Sequence, residues 1–377
     1  MKLSRLKMNL GSTLLNIPGW RTKRKLVIFE SDDWGSIRMP SPEVYSTMLK
    51  QELIHPDYAF AKYDSLASES DLTHIFEVLT SVKDNAGNYP VFTANCVVAN
   101  PDFERIEASN FNTYYYEPFT TTLDRYPAHK NSFNIWLQGI KSGVFYPQYH
   151  GREHINVSRW MKQLKDGNED LLAAFKLKTF LIKPYLKNHK LTNTAAALDM
   201  DNHHDAIKLK EILAEGYQLF ESIFGYKSIS FIAPNYIWDS SIEPDLAQLG
   251  IKYLQGSKYQ NIPIQNKETY IRKFRFTGQK NNFGQLSLVR NCYFEPSLAR
   301  APDLVDVCLK SISNAFFWGK PAIISTHRLN YIGFINSQNR DRNLPMLKNL
   351  LQQIKNKWPD VEFITSHQLG EIIVNAQ

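Results

Sequence analysis

Cysteine is scarce in this 377-residue chain: Cys96, Cys292 and Cys308 are the only three, far apart and never in a C-x-x-C spacing. That excludes a disulfide framework, a zinc knuckle and a dithiol redox pair, and it predicts reduced thiols in a cytoplasm. No apolar run is long enough to cross a bilayer, and the opening MKLSRLKMNLGSTLLNIPGW lacks the uninterrupted apolar core and cleavage site of a secretory signal. A soluble cytoplasmic protein is the expectation. No internal repeat, low-complexity tract or Pro/Gly linker forces a domain boundary, so residues 25–377 are read as one domain behind a basic extension, residues 1–24. Neither a helix-turn-helix signal nor an aromatic-basic binding motif is present, so a net charge of +7 does not point to nucleic acid.

What is present is ample material for a core, with 43% hydrophobic and 13% aromatic residues. Arg21, Lys23, Arg24 and Lys25 form a basic cluster. It reads either as a solvated approach to the first strand or as a peripheral contact for phosphate, an anionic membrane surface or a lipid-linked carrier.

KLVIFE is a short apolar run with charge on one side and Asp-Asp-Trp-Gly on the other, the pattern of a parallel strand buried on both faces. SPEVYSTMLKQEL follows, with Ser41 placed to cap a helix and Pro42 at its first position; ESDLTHIFEVLTSVKD repeats the helical spacing before YPVFTANCVV returns to strand. Later, HDAIKLKEILAEGYQLFESIFG, SISFIAP, SIEPDLAQLG, IKYLQG, APDLVDVCLKSISNAFFWG, PAIISTH, LPMLKNLLQQIKNKWPD and VEFITSH continue the alternation. Repeated strand–helix units spanning the chain predict an α/β fold, a single barrel-like domain of parallel strands. Two stretches break the rhythm: a lysine-rich helical insertion at about 157–205, placed to form a lid or side wall, and YIRKFRFTGQKNNFGQLSLVRNCYFEP, which alternates like an antiparallel hairpin around QKNNFGQ.

In parallel α/β folds, ligands and catalytic groups gather at the carboxyl ends of strands, where loops converge above a rigid sheet. Asp32 and Asp33 stand at such an end, and one could bind a metal while its neighbour handles a proton; the bland alternative is a polar turn with Ser31. In YHGREHINV, His150 and His154 are separated by one helical turn and, on one helix face, could reach a single cation; spacing alone produces such pairs by chance. A carboxylate with two imidazoles is a recognised divalent-ion site. IISTHRLNY puts His327 at a late strand end, where it could donate a proton opposite Asp32 acting as base. A competing cluster, Asp199, Asp201, His203, His204 and Asp205 in LDMDNHHD, reads more simply as a helix cap than as a metal or substrate site. Trp34, Tyr236 and Trp238 lie beside these motifs, as sugar-stacking platforms or as packing.

In this order the acidic doublet, the histidine pair and the late histidine resemble the polysaccharide deacetylase family, also called the NodB-homology domain or carbohydrate esterase family four. The resemblance runs from roughly Lys25 to Ile373. It implies a distorted (β/α) barrel of about seven parallel strands that hydrolyses N- or O-acetyl groups on sugars with a divalent ion, zinc first, with cobalt, nickel, manganese or iron also admitted. Carried over by position, Asp32 is the base, Asp33, His150 and His154 the metal ligands, and His327 the general acid. The chain departs from the family's H-[ST]-x-x-H at Gly151, from its L-x-H at Ser325, and from its R-x-P-[YF] at Ile232 and Asn235. The arginine that orients the catalytic aspartate must then come from elsewhere, and Arg290 or Arg328 is the candidate; Asn235, Tyr236, Arg290, Arg328 and Trp34 are the expected substrate-side residues. An acetylated sugar or glycan intermediate is the expected partner. The rivals are a glycoside hydrolase with two carboxylates on a related barrel, and a carbohydrate-binding barrel without turnover.

Overall fold

The computed structural model describes residues 16–183, 194–265, 267, 269–298 and 303–376. The first part of the basic extension and residues 184–193 of the expected insertion therefore lie outside the described residues. Its first strand, β1 (Lys25–Trp34), is buried from Leu26 onward, as an apolar run with no polar face must be. Eight further strands join the same sheet: β2 (Phe92–Cys96), β3 (Phe145–Tyr149), β4 (Ser230–Ile232), β5 (Tyr253–Gly256), β6 (Leu286–Val289), β7 (Cys292–Tyr293), β8 (Ala322–His327) and β9 (Val361–Phe363). Their order is β6-β5-β4-β3-β2-β1-β8-β7, with β9 beside the first residues of β1, and every pairing is parallel.

The two edges of this sheet belong to one stretch of chain. β6 and β7 are separated only by Arg290 and Asn291; Arg290 N–H donates to the Gly256 carbonyl at 2.9 Å, and Asn291 N–H to the Ile323 carbonyl at 3.1 Å. A single bent segment thus pairs with β5 through its first half and β8 through its second, closing a ring of seven staves: β1 to β5, the β6–β7 segment and β8. The expected hairpin survives only as a short antiparallel turn around QKNNFGQ, where Lys280 bridges Leu286 and Ser287 N–H donates to the Gln279 carbonyl at 2.8 Å. Tyr270–Phe274 pairs antiparallel with the upstream Tyr259–Pro263, while Leu286–Val289 enters the main sheet. Alternation of apolar and polar residues in the sequence suits both arrangements, so it could not separate them.

Helices cover the outside where the capping signals place them. Ser41 accepts from Val44 N–H at the start of Pro42–Lys50, and Ser68 forms a capping box with Asp71 before Glu69–Leu79. His203–Phe224 ends at Gly225 in the left-handed conformation. Val157–Lys165 and Glu169–Lys176 bury Trp160, Leu164, Leu171 and Phe175 in the main hydrophobic core. Among the described residues no helix is long and apolar enough to cross a membrane.

Inside the ring, side chains change character with height. At the base Leu26, Ile28, Leu286, Leu288 and Ile323 meet Leu369 and Ile373 of the helix Ser366–Asn375, which plugs the barrel. Two residues higher on each strand the interior turns polar: Glu30, Asn95, Gln148, Ser230, Gln255, Arg290 and Ser325 are all buried and hydrogen-bonded to one another or to neighbours. Buried polar groups are tolerated only when so satisfied. This layer is the floor on which Asp32 stands. The basic cluster lies at the other end of β1, roughly 26 Å away at about 3.3 Å per residue, where Arg24 pairs with Glu362 and Arg21 with backbone carbonyls.

Candidate active site

β1 answers why an apolar strand ends in two aspartates. Alternation would send Asp32 into the barrel beside Glu30 and turn Asp33 out toward the helices. Instead the pairing with β2 slips between Ser31 and Trp34, and Asp33 adopts φ 72°, in the left-handed region. This bulge brings Asp33 back to the barrel mouth at a conformational cost of about 1–3 kcal/mol. Both carboxylates then face one site, with different partners.

Asp32 is opposite His327 in the β1–β8 register. Its Oδ1 accepts from Asn95 Nδ2 at 2.7 Å and from an Arg290 terminal nitrogen at 2.6 Å, and its Oδ2 accepts from the other terminal nitrogen at 2.5 Å. Burial pushes this carboxyl up, but Arg290 outweighs it and holds the group below its ordinary value. Arg290 Nε donates to Glu30 at 2.6 Å, so one guanidinium serves two buried acids. Arg290 thus holds both oxygens of Asp32. Arg328 does not: it is buried against Asp64 and the Ser36 carbonyl.

Asp33, His150 and His154 converge, each offering one ligand atom within 4.8 Å of the others. Asp33 Oδ1 lies 3.2 Å from His154 Nε2 and 3.6 Å from His150 Nε2. Ligands on one zinc-sized ion at about 2.1 Å would be roughly 3.0–3.4 Å apart, so the two Asp33–histidine distances are close to what one ion requires. His150 Nδ1 lies 2.9 Å from the Ile232 carbonyl, which can only accept; the ring proton is therefore on Nδ1, leaving a lone pair on Nε2. That Nε2 is buried with no hydrogen-bond partner. Burial, then Arg38, pushes His154 down to about 3, so its imidazole is neutral, as a ligand must be. For Asp33, burial acts upward, but Arg38 and then His154 hold the carboxyl well below its usual range. The donor set and the orphaned nitrogen fit a divalent cation.

The histidines are not on a helix face, as the spacing suggested. His150 directly follows β3, residues 150–156 form a loop, and the helix starts at Val157. Gly151 has φ 111°, which explains glycine where the family pattern has a hydroxyl residue.

His327 Nδ1 lies 2.7 Å from Glu295 Oε1, and Nε2 lies 3.8 Å from Asp32 Oδ2. A carboxylate can only accept, so Nδ1 carries a proton and Nε2 points toward Asp32. Burial would push this imidazole down, but Glu295 and the two aspartates push it up to about 10. Glu295→Gln removes the nearest of those charges. The His327 ring is then expected to lose its proton at least one pH unit lower, read by NMR titration; an unmoved titration would show that Glu295 does not stabilise the imidazolium.

The remaining expected residues divide. Tyr236 is half-buried, and its hydroxyl accepts from Arg290 at 2.9 Å. Asn235 is exposed on a left-handed turn beside it. Trp34 is 0% exposed, bonded to Ser31 and edge-on to Trp136 and Phe145, so no ring face is free for a sugar. Trp238 is buried and bonded to Glu243. In the rival cluster Asp199 and Asp201 pair with Arg159, while Asn202 and Asp205 form a capping box. Sequence reasoning missed Glu295, Asn95, Glu30 and Arg38. Glu295 was within reach: it lies two residues beyond β7, but NCYFEP had been assigned to a hairpin.

No protein-family model matches the sequence, and no curated protein does. Among solved structures, similarity is found to a candidate polysaccharide deacetylase from Mycobacterium smegmatis, at 11% identity over 95% of this chain and 93% of that one, TM-score 0.46. A polysaccharide deacetylase from Bacillus cereus matches at 12% identity over 76% and 68%, TM-score 0.30. A 4-alpha-glucanotransferase from Thermococcus litoralis matches at 8% identity over 92% of this chain but 40% of its own length, TM-score 0.43.

Proposed function

We propose that this protein is a metal-dependent hydrolase that removes an N- or O-linked acetyl group from a carbohydrate or glycan precursor. The observation that carries the reading is the meeting of Asp33, His150 and His154 within 4.8 Å beside an Asp32–His327 pair on adjacent strands. Asp33, His150 and His154 would hold the ion, zinc first among candidates, and a bound ion there would supply a Lewis acid for the acyl carbonyl and for an attacking water.

The chain's own residues do the proton work. Asp32, kept ionised and oriented by Arg290 and Asn95, takes the proton of the attacking water, with Oδ2 the less encumbered oxygen. His327, kept protonated by Glu295, delivers the Nε2 proton to the departing amine or alkoxide. Tyr236, bonded to Arg290, and its exposed neighbour Asn235 are the candidates for meeting the sugar.

A glycosidase with two carboxylates needs one of them protonated at neutral pH. Asp32 and Asp33 are both pushed down instead, each by a buried arginine, and Glu30, a neighbouring carboxyl that burial pushes up, is held by Arg290 and Ser366 in the floor below, which favours the deacetylase reading. The deciding experiment is metal analysis of purified protein with acetate release measured on a panel of N- and O-acetylated sugars. We expect about one equivalent of metal and released acetate from wild type, with both lost in Asp33→Ala. Reducing sugar released without acetate would assign the glycosidase; bound metal and saturable sugar binding without turnover would assign a carbohydrate-binding barrel.

A further inference from the structure

Behind the histidines a second charge network reaches the other side of Asp33. An Arg38 terminal nitrogen lies 3.0 Å from Asp33 Oδ2, and Arg38 Nε lies 3.6 Å from Asp64 Oδ2. Asp64 Oδ1 accepts from Arg328 Nε at 2.9 Å, and Arg328 also donates to the Ser36 carbonyl at 2.9 Å. The network is deeply buried, with Arg38 at 3% and Asp64 and Arg328 at 0% exposure. Phe60 covers the Arg38 guanidinium, 5.3 Å from its ring centroid, and Thr179 Oγ1 bonds the Arg38 carbonyl at 2.6 Å.

Taking such charges out of water is costly unless pairing returns the loss. Arg328 takes Asp64 Oδ1, while Asp64 Oδ2 and Arg38 Nε, 3.6 Å apart, make no hydrogen bond, so the Arg38–Asp64 contact is ionic only. What Arg38 adds is a hold on one oxygen of Asp33, while the other faces both histidines. A carboxylate with two free oxygens can grip an ion with both and fill a coordination position. With Oδ2 engaged, only Oδ1 can serve.

We propose that Arg38 is a positioning residue for the metal site: by occupying Oδ2 it makes Asp33 a one-oxygen ligand and leaves coordination positions open for water and substrate. Asp64, held by Arg328, supplies the negative charge beside its Nε. The inference rests on the reading that Asp33, His150 and His154 hold a divalent ion.

The test is ion affinity, independent of turnover. Chelator-stripped full chain is titrated with Zn²⁺ and with Co²⁺ against a chromophoric competitor, and the visible absorption of the Co²⁺ form is recorded. Arg38→Met frees Oδ2 for the ion, so the Co²⁺ spectrum is expected to change as the coordination number rises, with affinity moving by about 10–100-fold, the usual scale for losing an outer partner of a ligand. Arg38→Lys keeps the charge but not the planar fork and should reverse only part of the change. Asp64→Asn, the milder variant, should shift affinity in the same direction by a smaller factor; if Arg38→Met fails to fold, these two decide. Wild-type affinity with an unchanged Co²⁺ spectrum in these variants overturns the proposal. Asp33→Ala separates the two levels. If it keeps wild-type affinity, the metal-site reading itself fails; if it loses the ion while the Arg38 and Asp64 variants bind normally, only the positioning role fails.

Discussion

Arg290→Met is expected to destabilise the protein by about 3–5 kcal/mol, the loss typical when a buried charge loses its partner. The guanidinium is 0% exposed and donates to Glu30, to both oxygens of Asp32, to Tyr236 and to Ser325. Methionine fills much of the volume but leaves two carboxyls without a counter-ion inside the barrel. Both would then favour their protonated forms, so the folded state binds more protons than the unfolded one and the penalty shrinks as pH falls toward about 4. Equilibrium denaturation at pH 7 and pH 5 measures this directly. A second substitution sharpens it: Glu30→Gln in the Arg290→Met background removes one orphaned charge while keeping the bond from Ser366 Oγ. The double variant should be more stable than Arg290→Met alone, whereas Glu30→Gln by itself should weaken the native protein. A loss below about 1 kcal/mol for Arg290→Met would mean that water reaches the barrel floor.

That floor shows which parts of the molecule a linear reading can and cannot reach. KLVIFESDDWG announces both a buried strand and the polar group at its end, because burial on two faces and the abrupt change to aspartate are local features. The late strand ending in His327 is legible for the same reason. The closure of the ring is not, since β6 and β7 alternate just as hairpin strands do, and only their partners, β5 and β8, tell the arrangements apart. Misplacing that segment also hid Glu295 at its end. The pair His150 and His154 was found by spacing that suits a helix, yet a loop opened by Gly151 brings them together. Arg38 and Asp64 carry no periodic signal at all, and Arg290 meets Asp32 across 258 positions of sequence, a contact no local pattern encodes. Charge pairs of this kind are decided by tertiary packing, whereas strands and helix caps are decided by neighbours.

His327→Gln should lower kcat for acetyl release by about 10²–10⁴, the range that general acid catalysis supplies, while affinity for the metal ion stays within about twofold. The ring's Nδ1 is committed to Glu295 and its Nε2 faces Asp32 rather than the cluster of Asp33, His150 and His154. Removing it therefore takes a proton donor away without taking a ligand. Glutamine keeps a polar side chain of related reach but cannot give up a proton at neutral pH, so the defect should track the leaving group. An acetamide or alkyl ester, whose departing amine or alkoxide must be protonated, should suffer the full loss; an activated aryl acetate, whose phenolate leaves unaided, should suffer much less. Comparing kcat on the two substrate types, with ion titration on the same preparation, makes the test. Equal losses on both substrates together with a matching loss of metal would recast His327 as a ligand, and equal losses with metal retained would make it a binding residue rather than the acid.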